Sequence, residues 1–129
     1  SGTLRPRMVG VLKICKQHFQ VACITNNVKA GHGPGMDTDQ AKANSVAGVM
    51  EIFSLVVESS KEGIRKPNPE IYKRTCEKLA VSPTKCVFLD DLGINLKPAK
   101  ALGMQTIKVL GEDQAIEELA KVTGLTFAV

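Results

Sequence analysis

Apolar residues recur along this chain in two alternating rhythms. Residues 6–18 carry Met8, Val11, Leu12 and Cys15 at helical spacing behind Pro6, which predicts an amphipathic helix. Four short, nearly all-apolar runs follow: "VACIT" (21–25), "SLVVES" (54–59), "CVFLD" (86–90) and "TIKVL" (106–110). Each has the length and composition of a strand covered on both faces. Between the last three runs lie two helical stretches. "NPEIYKRTCEKLA" (68–80) offers Asn68 as a cap and Pro69 at the first helical position, where a missing N–H costs nothing. "NLKPAKALGM" (95–104) runs to Gly103, a helix stop. A last helix is expected at about 112–122. Alternating strands and helices predict an α/β, three-layer Rossmann-like core with four parallel strands. Residues 28–40, with three glycines and a proline within five positions, predict a loop.

Composition narrows the classes. A chain of 129 residues, 43% hydrophobic and 23% charged, is one domain's worth and long enough to bury a core. The longest apolar runs, "LVV" and "CVFL", fall far short of the roughly 20 residues that cross a bilayer, so no membrane span is expected. No signal-peptide pattern opens the sequence. The net charge of +4 comes from scattered Lys and Arg, and the aromatics are four Phe and one Tyr, which argues against nucleic-acid binding. Cys15, Cys23, Cys76 and Cys86 contain no C-x-x-C pair and read as buried reduced thiols of an intracellular protein, with the compartment unread. His18 and His32 have no second ligand at metal spacing and read as ordinary surface or loop residues.

Three clusters sit just past the carboxyl ends of predicted strands, the edge at which open parallel sheets bind ligands. Thr25, followed by Asn26 and Asn27, offers a hydroxyl and backbone N–H groups to a phosphoryl oxygen, although such residues also end strands simply as turn formers. Lys66, in "GIRKPNPEIY", stands on a loop bounded by Pro67 and Pro69 and supplies a compact positive charge; its bland reading is a solvated loop lysine. Asp90 and Asp91, with Asn95 downstream, suit Mg²⁺, which takes one or two carboxylates, several waters and a phosphate oxygen. Asp91 as a mere helix cap is the competing reading, but capping does not explain two adjacent acids after an apolar strand.

Hydroxyl, lysine and acidic pair, in that order on successive strand ends, resemble motifs two, three and four of the haloacid dehalogenase superfamily. "ITNN", "GIRKPNPEIY" and "VFLDDLGINLKPAKALGM" are most similar to its subgroup of phosphatase domains, found in soluble epoxide hydrolase and in acyl-CoA dehydrogenase family member 10. The likeness spans about residues 4–127. It implies that Thr25 donates to the transferring phosphoryl group, with Asn26 and Asn27 beside it. Lys66 would hold phosphate and nucleophile in register. Asp90 would ligate Mg²⁺, with Asp91 assisting and Asn95 orienting the acidic loop. The substrate class implied is a small phosphorylated molecule.

The resemblance also implies a first motif, Asp-x-Asp at the end of a first strand, whose leading aspartate is the nucleophile. The one D-x-D here, Asp37-Thr38-Asp39, follows a glycine-rich stretch instead of an apolar strand. The chain is therefore expected to be the carboxyl-terminal portion of a single core domain (1–129), lacking first strand and cap, and catalytically silent. The first strand would lie between those ending at Thr25 and Asp90. Without it, either those two strands pair directly or their exposed edges drive self-association. A receiver domain is disfavoured because its acids precede its hydroxyl and lysine. A non-catalytic binding module on a phosphatase-like scaffold remains the alternative.

Overall fold

A computed structural model describes residues 5–26 and 50–129. Asn27, the 28–40 segment and Asp37-Thr38-Asp39 lie outside the described residues. Helix α1 (Pro6–Lys16) starts with proline in its first turn and ends with Lys13 and Lys16, cations that suit the negative end of the helix dipole. Strand β1 (Ala22–Thr25) pairs in parallel with β2 (Leu55–Glu58), register Ala22↔Leu55 to Thr25↔Glu58. The run expected as strand to residue 59 instead turns at Ser59 into a single-turn helix, α2 (Ser59–Glu62), closed by Gly63 at φ 74°. That left-handed conformation strains any residue with a Cβ.

Helix α3 (Pro69–Leu79) begins as expected: the Asn68 side chain accepts from the Glu70 amide at 2.9 Å. A short 3₁₀ turn (Pro83–Lys85) leads into β3 (Val87–Asp90). Helix α4 (Gly93–Ala101) starts two residues earlier than the sequence pattern predicts and accommodates Pro98 in its interior. Strand β4 (Gln105–Lys108) pairs in parallel with β3, register Val87↔Gln105 to Asp90↔Lys108. Helix α5 (Glu112–Thr123) is capped by the folded-back Gln114 side chain, which accepts from the Leu110 amide at 2.8 Å, and ends at Gly124.

Two packed clusters make three layers. On one face α1 and α5 contribute Val11, Cys15, Ile116 and Leu119, packed on Val21, Ile107, Val87 and Leu89. On the other, α3 and α4 contribute Ile71, Tyr72, Cys76 and Ala99, packed on Val57, Met104, Ile24 and Phe88. Val87 and Leu89 thus face one layer and Phe88 the other, the alternation a strand requires. The second cluster draws strand residues from both pairs, Ile24 and Val57 from one and Phe88 from the other, and in the first cluster Val21, just before β1, packs with residues of β3 and β4, so the two pairs share one core.

The strands do not form one sheet. Among the described residues β1–β2 and β3–β4 are separate two-stranded sheets, with no ladder between β1 and β3. Of the two outcomes expected for those strands, direct pairing is therefore not found among the described residues. Among the described residues each has one strand partner, and every residue of both strands is only half-buried despite its apolar composition. No helix of the described residues is long and apolar enough to cross a membrane.

Candidate functional site

β3 delivers Asp90 to the carboxyl end of the sheet, where the chain must leave the strand and enter α4. Its Oδ1 accepts from the Leu92 amide at 2.9 Å, which closes the strand-to-helix turn. Its Oδ2 accepts from Lys66 Nζ at 3.0 Å and from Asn95 Nδ2 at 3.2 Å. The Lys66 and Asp90 side chains are only 13% and 7% exposed. Burial pushes the Asp90 carboxyl up, but the Leu92 amide and the Lys66 ammonium outweigh burial and hold it below its ordinary value.

Lys66 is fixed from behind. The Asn26 side chain, one residue past β1, accepts from the Lys66 amide at 2.9 Å and donates to the Lys66 carbonyl at 3.0 Å. That two-point clamp ties the end of β1 to the loop before α3, so both polar groups of Asn26 help to position the lysine. The Lys66–Pro67 peptide is cis. The ammonium lies 5.9 Å from the centroid of Phe88, within range for a cation–π contact.

Asn95 is 5% exposed and held at both ends. Its amide reaches Asp90, and its carbonyl accepts from Tyr72 Oη at 2.6 Å. Tyr72 is fully buried and packs edge-on against Phe88, ring centroids 5.3 Å apart. Burial and then the Asp90 charge push its phenol up to about 12, so it remains a donor at any physiological pH. Asp91 is exposed beside Asp90, and Thr25 ends β1 opposite Glu58. Lys66, Asp90 and Asn95 thus converge with Asn26, while Asp91 stands at the rim. Tyr72, Phe88 and Leu92 carry no signal in a linear reading, because a tyrosine and a phenylalanine at buried positions look like core. Lys108 could have been noticed: a strand-end lysine in register with Asp90, its ammonium lies near Gly93, 3.9 Å from where a Cβ would stand.

A carboxylate offers about four lone-pair sites. Leu92, Lys66 and Asn95 take three at Asp90, which leaves one, on Oδ1, beside the exposed Asp91 carboxylate. Among the described residues no group of three or more His, Cys, Asp or Glu gathers as a metal cage. Asp90 and the neighbouring Asp91 are the two carboxylates this end of the sheet could offer a cation.

Comparison with known proteins identifies the family. The model of the haloacid dehalogenase-like hydrolase family matches residues 1–103. Bifunctional epoxide hydrolase 2 of Sus scrofa is 40% identical over 124 residues, covering 93% of this chain and 21% of the relative. Acyl-CoA dehydrogenase family member 10 of Mus musculus is 37% identical over 114 residues, covering 88% of this chain and 10% of that protein. The chain thus spans about a fifth or less of these relatives. A predicted HAD-like family hydrolase from Porphyromonas gingivalis superposes with a TM-score of 0.71 at 16% identity, covering 97% of this chain and 60% of that one. A HAD family enzyme from Bacteroides thetaiotaomicron, solved with magnesium and inorganic phosphate, superposes at 0.66 with 23% identity over 85% and 56% of the two chains. The matched residues run through the Thr25, Lys66 and Asp90 segments, and the chain belongs to the haloacid dehalogenase-like hydrolase family.

Proposed function

We propose that this chain is core machinery of a Mg²⁺-dependent phosphate monoester phosphatase, and that its residues hold phosphate and cation but lack the nucleophile needed for turnover. The observation that carries the reading is the buried Lys66–Asp90 pair at the strand ends, locked by Asn26 on one side and Asn95 on the other. Fixed charges in a partly dry site act on a phosphoryl group more strongly than mobile ones in water. Lys66 would neutralise a phosphate oxygen, Thr25 would donate to another, and Asp90 with Asp91 would hold the cation. Bound there, Mg²⁺ would supply charge neutralisation to the phosphate. In support, a sesquiterpene phosphatase of Aspergillus oryzae is 26% identical over 126 residues, covering 96% of this chain and 61% of the relative.

A non-catalytic binding module on the same scaffold is favoured by one observation: the only Asp-x-Asp, Asp37-Thr38-Asp39, follows a glycine-rich stretch and no apolar strand. Both readings share the binding step. Titration with MgCl₂ and inorganic phosphate, following amide resonances, should move Lys66, Leu92 and Asn95 first, and Lys66→Ala should abolish the phosphate response. Uniform shifts at all surface acids would refute the site.

A further inference from the structure

Two of the four cysteines meet across an element boundary. Cys76 stands in the last turns of α3 and is 4% exposed, while Cys86 is half-buried at the junction between the 3₁₀ turn and β3. Their sulfurs lie 3.8 Å apart, and both thiols are free. A disulfide needs about 2 Å between sulfurs, so closure requires a movement of about 2 Å, within reach of side-chain rotation. Cys15 on α1 and Cys23 on β1 have no such neighbour among the described residues.

We propose that Cys76 and Cys86 form a dithiol modification site, which a small external disulfide such as glutathione disulfide converts to an intrachain disulfide. Solvent reaches both sulfurs: Cys86 is itself only half-buried, and Cys76 lines a shallow depression with Lys73, Glu77, Ala80, Val81 and Pro83. Cys86, the more exposed of the two, attacks first. Its thiolate displaces one glutathione thiolate and leaves a mixed disulfide on Cys86. Cys76 then gives up its proton, and its sulfur attacks the Cys86 sulfur and expels the second glutathione thiolate. Two protein thiols are oxidised, one glutathione disulfide is reduced to two glutathione thiols, and the two protons released by the protein protonate them. Burial pushes the Cys76 thiol up to about 11, which suits it to the slower, resolving role.

The link would join the end of α3 to the start of β3. Lys66 precedes the first of these elements and Asp90 ends the second, so the bond would fasten the two carriers of the buried ion pair at their far ends.

The test is incubation of the folded chain with glutathione disulfide, followed by alkylation, intact mass measurement and tryptic mapping. The expected product has lost two hydrogens, retains two alkylatable thiols at Cys15 and Cys23, and yields Thr75–Lys78 linked to the peptide beginning at Cys86. Its thermal midpoint should rise and return on reduction. Cys76→Ser should halt at a stable glutathione adduct on Cys86, and Cys86→Ser should form no internal link. A wild-type chain that keeps four alkylatable thiols, accumulates the adduct without resolving it, or links Cys15 or Cys23 instead would overturn the proposal. The wild-type map decides even if a variant fails to fold.

Discussion

Lys66 Nζ rests 3.0 Å from Asp90 Oδ2 across the open end of the sheet, and each partner is held by a third residue that has no charge. Asn26 grips the Lys66 backbone, and Asn95 grips the Asp90 carboxylate. The pair is therefore pre-positioned before any ligand arrives, which is the property a site for phosphate and a cation requires.

Removing one member of such a pair leaves a buried charge without its counterion. Lys66→Met should destabilise the fold by about 3 kcal/mol, the low end of the usual cost because Leu92 and Asn95 still serve Asp90. Urea denaturation would show the midpoint falling with an unchanged slope. Asn26→Ala, which keeps the ion pair but frees the lysine loop, should weaken phosphate binding more than it weakens stability.

The Asp90 carboxyl is held below its ordinary value in the folded state. For a depressed acid the unfolded chain takes up the proton first, so the stability gained is complete above the unfolded value, roughly 4, and is lost as pH falls towards the folded one. The wild type should therefore lose stability below about pH 4 faster than Asp90→Asn does. Parallel loss in both proteins across that window would assign the acid sensitivity elsewhere.

Tyr72 couples the core to the acidic loop through its 2.6 Å bond to the Asn95 carbonyl. Tyr72→Phe keeps the ring against Phe88 and deletes the hydroxyl alone, so it should cost about 1–2 kcal/mol and loosen the Asn95 amide in hydrogen exchange. Tyr72→Ala, which also opens a cavity, should cost about 3–5 kcal/mol.

Among the described residues β1 and β3 each have a strand partner on one edge only. Open apolar edges template pairing with further chains, so concentration-dependent association is expected in sedimentation, together with faster amide exchange at Cys23 and Phe88 than at Val57 and Ile107. Exchange at Cys23 and Phe88 as slow as at Val57 and Ile107, in a strictly monomeric sample, would count against open edges.

Much of this was legible in the sequence because each element announces itself locally. Strands β1 and β3 are short apolar runs and Asn68-Pro69 marks the start of α3, whereas the strand expected at 106–110 is Gln105–Lys108, with both end residues exposed and Leu110 outside it. The Ser59 turn into α2 was hidden because "SLVVES" continues the strand composition past the point where the backbone bends. Hydrophobic pattern shows that a strand is covered on its faces, and says nothing about whether its edges are paired; the split between β1–β2 and β3–β4 was one of two outcomes expected from the missing first strand, and the pattern alone did not choose between them. Lys66 and Asp90 were found from residue types at strand ends. The clamp from Asn26 and the support from Tyr72 depend on contacts 40 and 23 residues apart in sequence, which no local pattern encodes.

The central claim is binding without turnover, and the most direct measurement is hydrolysis of an aryl phosphate with Mg²⁺ present. Wild type, Lys66→Ala and Asp90→Asn should be compared. Loss of a nucleophile costs on the order of a million-fold in enzymes that work through a covalent intermediate. The account predicts no release above background from all three proteins. Turnover by the wild type that both substitutions abolish would contradict it, since Lys66 and Asp90 would then belong to a complete active site.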